Sequence, residues 1–149
     1  MVSVGLFILR LVVGSLFAVH GYPKLFGGKG KAVSPTAQKV LGEGFVQSME
    51  HGGPESFAKA LERMETPAPR QVALFVGWVE FLGGILLAMG MLTRLSAALL
   101  AGDMAVAIQK VHAQKGLVGQ GASEFALSML AATAALFIAG PGKISVDGK

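Results

Sequence analysis

Apolar residues run almost unbroken through four stretches of the chain, and one long polar stretch separates the first from the rest. The first runs from Val2 to about His20, with Ser3, Arg10 and Ser15 as its polar interruptions. The others cover about 71–92, 95–111 and 124–138. A helix rises 1.5 Å per residue, so about 20 residues cross a hydrocarbon core of roughly 30 Å. The first two stretches meet that length. The third and fourth are marginal and must lean on their neighbours or thin the bilayer. The pattern predicts an all-α membrane protein, a four-transmembrane-helix antiparallel bundle in one domain spanning 1–149.

Gly21 and Pro23 predict the end of the first span. A signal peptide would carry its basic residue at the front and small residues at a cleavage site. Here Arg10 falls mid-stretch and His20-Gly21-Tyr22-Pro23-Lys24 follows, which predicts a retained span. The polar connection, 21–70, predicts two short amphipathic helices. Ser34-Pro35 reads as an N-cap followed by proline at the first helical position, with Val40, Leu41, Phe45 and Met49 near helical spacing. Gly52-Gly53-Pro54 breaks that pattern. Phe57, Ala60, Leu61 and Met64 then share a face opposed to Lys59, Glu62, Arg63 and Glu65, and Pro67 and Pro69 end it. Such helices fit a bundle mouth or a membrane surface.

Composition sharpens this reading. Of 149 residues, 52% are hydrophobic and only 15% charged, against about 25% charged in soluble domains. The charges crowd between Lys24 and Arg70. The net charge of +4 lies in loops, not on a basic helix interleaved with aromatics, so its expected partner is the lipid bilayer and not nucleic acid. Without cysteine the chain holds no disulfide, thiolate-ligated cluster or covalently attached haem.

Three charges interrupt the predicted spans: Arg10, Glu80 and Asp103. A charge in the hydrocarbon core costs at least about 2.5–3.5 kcal/mol and needs a partner or a polar cavity. Counted from the loop side, all three fall roughly 13–15 Å deep, which predicts one buried charge cluster. In it Arg10 pairs with one carboxylate, and the other is protonated or solvated. The cluster would serve as a proton relay or as a static pair that fixes helix register.

A second polar layer is expected at the loop-side mouth. His20 and Lys24 leave the first span, His112 leaves the third and Glu124 enters the fourth. Two histidines and a glutamate are a candidate metal set, but their spacing matches no ligand motif. A headgroup site for quinone or a small anion fits better. His51 reads as a surface residue with no partner in sight. Small residues at Gly14, Ala18, Gly77, Gly84 and Ala88 predict close helix packing.

Several stretches resemble the DoxX family of small four-helix bacterial membrane proteins. They are Leu9-Arg10-Leu11-Val12-Val13-Gly14, His20-Gly21-Tyr22-Pro23-Lys24-Leu25-Phe26-Gly27 and Val79-Glu80-Phe81-Leu82-Gly83-Gly84. Gly90-Met91-Leu92-Thr93-Arg94, His112, Gly121-Ala122-Ser123-Glu124-Phe125-Ala126-Leu127 and the closing Gly140-Pro141-Gly142-Lys143-Ile144-Ser145-Val146-Asp147 extend the match. The family pattern falls on Arg10, His20, Lys24, Glu80, Arg94, His112 and Glu124. Asp103 is outside it, and the 28–70 connection is longer than the compact family loop.

The resemblance implies a multi-pass protein of the bacterial cytoplasmic (inner) membrane and redox-linked roles, some members being similar to a subunit of thiosulfate:quinone oxidoreductase. The expected function is therefore that of a membrane subunit of a quinone-linked oxidoreductase system. His20, Lys24, His112 and Glu124 would hold a quinone head or small anion, and a partner subunit would supply the missing redox centre. The rival is a non-enzymatic accessory or assembly subunit, or a small-solute carrier, which with so few helices would form a homodimer. Lys24, Lys29, Lys31, Arg70, Lys110 and Lys115 outnumber Arg94, Lys143 and Lys149, which predicts a cytoplasmic 21–70 segment.

Overall fold

The computed structural model describes residues 1–112, 115–119, 121 and 123–148, apart from the side chain of His112. Among the described residues the chain is all-helical, with seven α-helices and no strand. They are α1 (Val2–Phe26), α2 (Pro35–Leu41), α3 (Glu43–His51), α4 (Pro54–Arg63), α5 (Pro69–Met89), α6 (Thr93–Ala107) and α7 (Glu124–Ala139). A π-helical turn, Ile108–His112, follows α6.

Helix α1 does not end at Gly21 and Pro23 as expected. It continues to Phe26 with Pro23 inside it. The Pro23 carbonyl accepts from the N–H of Gly27 at 2.9 Å and of Gly53 at 2.8 Å.

The polar connection holds three short helices, where two were expected. Ser34 caps α2 by accepting from the Ala37 amide at 3.2 Å. The continuous stretch predicted through Met49 is cut at Gly42, whose φ of 81° lies in the left-handed region that favours glycine. Residues 43–51 then restart as α3, and Gly52-Gly53 turns the chain into α4.

Two helices, α1 and α5, are long and apolar enough to cross a membrane. Helix α6 has 15 residues and α7 has 16, about 22–24 Å each, short of a full core. Helix α6 is also shorter than the predicted 95–111, its last turn passing into the π-helical segment.

The chain forms two compact units, and α1 and α5 contribute to both. One comprises Met1–Ala18 and Leu82–Lys149. Its core holds Val13, Phe17, Leu87, Ala97, Leu100, Met104, Met129 and Leu136. Gly14 and Gly84 bring α1 and α5 into backbone contact: a Cβ on Gly84 would stand 2.5 Å from the Gly14 oxygen. The same small-residue approach drives helix association in lipid, where apolar burial against lipid tails gains little. The other unit, Val19–Phe81, gathers the end of α1, the three short helices and the first part of α5 around Met49, Ala73 and Val79.

Candidate functional site

The second unit contains a cavity of 550 Å³. The i, i+4 spacing of His20 and Lys24 puts both on one face of α1. Facing them are Gln47, Ser48 and His51 from α3 and Ser56, Phe57 and Ala60 from α4. The Gly52-Gly53 corner closes the wall, tied to α1 by the bond from Gly53 to the Pro23 carbonyl. The Gly28 amide adds a bond to the Met49 carbonyl at 2.7 Å.

Lys24 joins this cavity to the interior. Its Nζ donates to Glu80 Oε1 at 2.6 Å and lies 4.8 Å from the centre of the Phe57 ring. That position gives the ammonium a carboxylate and an aromatic face at once. Glu80 is only 3% exposed, and its second oxygen, Oε2, has no hydrogen-bond partner among the described residues. His20 feels the charges of both Glu80 and Lys24. His51 Nδ1 is 3.1 Å from the Gln47 carbonyl. A carbonyl only accepts, so Nδ1 carries a proton there, and Nε2 is the acceptor when the ring is neutral.

The cavity lining includes histidine, lysine, serine and glutamine but no carboxylate. Lys24, Ser56 and Gln47 can donate hydrogen bonds to a ligand's oxygens, while the Ser48 hydroxyl already donates to the Gly44 carbonyl at 2.8 Å. Tyr22 and Phe26 lie on the other side of α1 from His20 and Lys24. They join Phe45, Trp78 and Phe81 in a ring cluster with centroids 4.9–6.5 Å apart. Tyr22, Phe26 and Trp78 are exposed, as in the aromatic belts of membrane–water interfaces.

Sequence reasoning places Arg10, Glu80 and Asp103 in one cluster; the structure gives them different surroundings. Glu80 takes Lys24. Arg10 is fully buried in the first unit, where its Nη2 donates to the Ile144 carbonyl and its side chain packs on Gly90, just past the end of α5. Asp103 is half-buried on α6. Glu80 packs beside Gly21 on α1, about three helical turns along from Arg10.

Arg10 belongs to a tail clasp. Asp147 accepts from the Leu92 amide at 3.0 Å and the Thr93 amide at 2.8 Å, so the tail supplies the N-terminal cap of α6. The Asp147 amide returns a bond to the Gly90 carbonyl at 2.9 Å. The Thr93 amide, with help from the Leu92 amide and the Arg10 charge, holds the Asp147 carboxyl below its usual range, against the opposing effect of burial.

Of the mouth layer, the cavity gathers His20 and Lys24. Glu124 opens α7 in the first unit, its amide bonded to the Leu117 carbonyl at 3.0 Å. The His112 side chain lies outside the described residues. His51 is exposed, as the sequence reads it, and it also lines the cavity. The signal was Gly52-Gly53-Pro54 beside it, a corner that turns the end of α3 toward α1.

The DoxX family model matches residues 5–113, more than half of the chain. The chain belongs to the DoxX family. No curated protein and no solved structure matches it. DoxX proteins are membrane-associated, and the two apolar helices α1 and α5 accord with that.

Proposed function

We propose that this DoxX-family chain is a multi-pass inner-membrane subunit of a quinone-linked oxidoreductase system, with the α1–α3–α4 cavity as its quinone headgroup site. Four helices would cross the bilayer, with the shorter α6 and α7 relying on local thinning and mutual packing. The 21–70 segment would face the cytoplasm.

One observation carries the reading. A cavity lined by two imidazoles and an ammonium opens beside the end of an apolar span, in the unit whose exposed rings suit the membrane interface. Its 550 Å³ falls within the usual range of small-molecule sites, about 300–1,000 Å³. A bound quinone supplies two-electron, two-proton chemistry. This chain's residues would bind and orient it. Lys24 Nζ and Ser56 Oγ donate toward head oxygens, Phe57 offers an apolar wall, and His20 and His51 hold protons at the mouth. Electrons would come from a partner subunit, since the chain has no cysteine to hold an iron–sulfur cluster or a covalent haem.

Purification in mild detergent followed by solvent extraction tests this. Quinone in near-equal amount to protein is expected, falling away in Lys24→Met/Glu80→Gln. An empty extract with a stable co-purifying protein would favour a non-enzymatic accessory subunit.

A further inference from the structure

The same cavity has a second property that does not depend on the quinone reading. Lys24 lines it, yet the carboxylate that neutralises Lys24 lies behind the wall. Among the described residues the lining offers no acid of its own. An oxyanion entering the cavity therefore meets Lys24, His20 and the side chains of Ser56 and Gln47, and also His51 when its Nε2 carries a proton, with no like charge on the wall among the described residues.

Glu80 is the only carboxylate with which Lys24 pairs among the described residues. It is 3% exposed, and Oε2 is buried without a hydrogen-bond partner there. A carboxylate left buried without its cation does not stay charged; it neutralises by taking a proton. Lys24 is 29% exposed and sits on a flexible four-carbon stem, so it is the mobile half of the pair.

We propose that the cavity is a proton-coupled oxyanion site, in which an anionic ligand replaces Glu80 as the partner of Lys24 and Glu80 takes up one proton. The balance is simple. Before binding, Lys24 and Glu80 cancel. Afterwards Lys24 cancels one negative charge of the anion and Glu80 is neutral. One anion and one proton enter together, and no bond to carbon or sulfur changes; a monoanion leaves the region neutral, and a dianion such as sulfate adds one negative charge that faces the two imidazoles. The groups facing the exchange are His20 and Lys24 on α1, His51 on α3 and Glu80 on α5. The neighbouring groove is lined by Lys29, Lys31 and Lys59 together with Glu50 and Glu55.

Isothermal titration calorimetry of the detergent-solubilised full chain tests this, with inorganic sulfate in two buffers of different ionisation enthalpy. Wild type is expected to bind sulfate with uptake of about one proton per anion. Glu80→Gln keeps the Lys24 contact through its amide oxygen, so it is expected to fold and to bind sulfate with about one proton fewer. That difference separates Glu80 from any proton taken by His20 or His51. Lys24→Met/Glu80→Gln removes both charges and is expected to weaken sulfate binding about tenfold or more, the loss of a charge-assisted hydrogen bond. No sulfate binding by wild type, the same proton count in Glu80→Gln, or undiminished affinity in the double variant would each overturn the proposal. Quinone content, read separately by extraction, can fail or succeed without changing these outcomes.

Discussion

Asp147 Oδ2 accepts the backbone N–H of Thr93 at 2.8 Å, so the end of the chain caps a helix that begins more than fifty residues earlier. Helix starts leave amides without partners, and a carboxylate there satisfies them and meets the positive end of the helix dipole. Leu92, the residue before α6, carries no oxygen in its side chain and sits in the left-handed region, so the cap must come from elsewhere. Asp147→Ala is expected to lower stability by about 0.5–1 kcal/mol, the lower part of the cap range because Asp147 is exposed to solvent. Thermal unfolding in detergent measures it, and an unchanged midpoint would remove the cap from the account.

The same contact sets a pH dependence. The folded carboxyl is held below its ordinary value of 3.8, chiefly by the Thr93 amide. The folded state thus prefers the ionised form. The stabilisation is fully present above that ordinary value and is lost as pH falls through the lower folded value. Acid should loosen the tail in wild type, and Asp147→Asn should remove that step. Amide hydrogen exchange at Thr93 as a function of pH reads it directly.

The Lys24–Glu80 pair makes a comparison of variants informative. Lys24→Met leaves a charge or an unsatisfied carboxyl buried beside α1 and is expected to cost about 1–3 kcal/mol. Adding Glu80→Gln removes that charge, so the double variant should be more stable than Lys24→Met alone. Equal thermal midpoints for the two would mean that solvent already satisfies Glu80.

Neighbouring glycines on α5 should behave oppositely. A methyl at Gly84 would lie 2.5 Å from the Gly14 oxygen and 2.6 Å from the Ala18 nitrogen, both backbone atoms. Gly84→Ala must push α1 away and is expected to cost about 1–3 kcal/mol. A methyl at Gly83 would meet Leu100 at 3.7 Å, an ordinary contact. Gly83→Ala should be neutral or slightly stabilising, within about 0.5 kcal/mol, through better helix propensity. Retained yield of folded protein for Gly84→Ala would count against the close helix crossing.

Much of the helical plan is legible in the chain. Hydrophobic run length marks α1 and α5, and Ser34-Pro35 marks the start of α2. The misreadings have local causes. Proline usually stops a helix, but α1 runs through Pro23 to Phe26. Gly42 is one glycine among many in the sequence, and its positive φ becomes visible only in the fold.

The site was half legible. Arg10 and Glu80 stand out because their neighbours are apolar, but nothing in the sequence names their partners. Lys24 is separated from Glu80 by the whole polar connection, and Asp147 looks like any tail acid. His51 carries no signal of its own; only the turn at Gly52-Gly53 brings it to His20 and Lys24.

Photolabelling tests the central claim most directly. The full chain in lipid nanodiscs would be irradiated with a short-chain azidoquinone, digested and mapped by mass spectrometry. The account predicts labels on the segment from His20 to Lys24 and on the α3–α4 wall between Gln47 and Ala60. Excess unlabelled quinone should suppress them, and Lys24→Met/Glu80→Gln should abolish them. Labels confined to other segments, or unchanged in the double variant, would contradict a quinone site in this cavity.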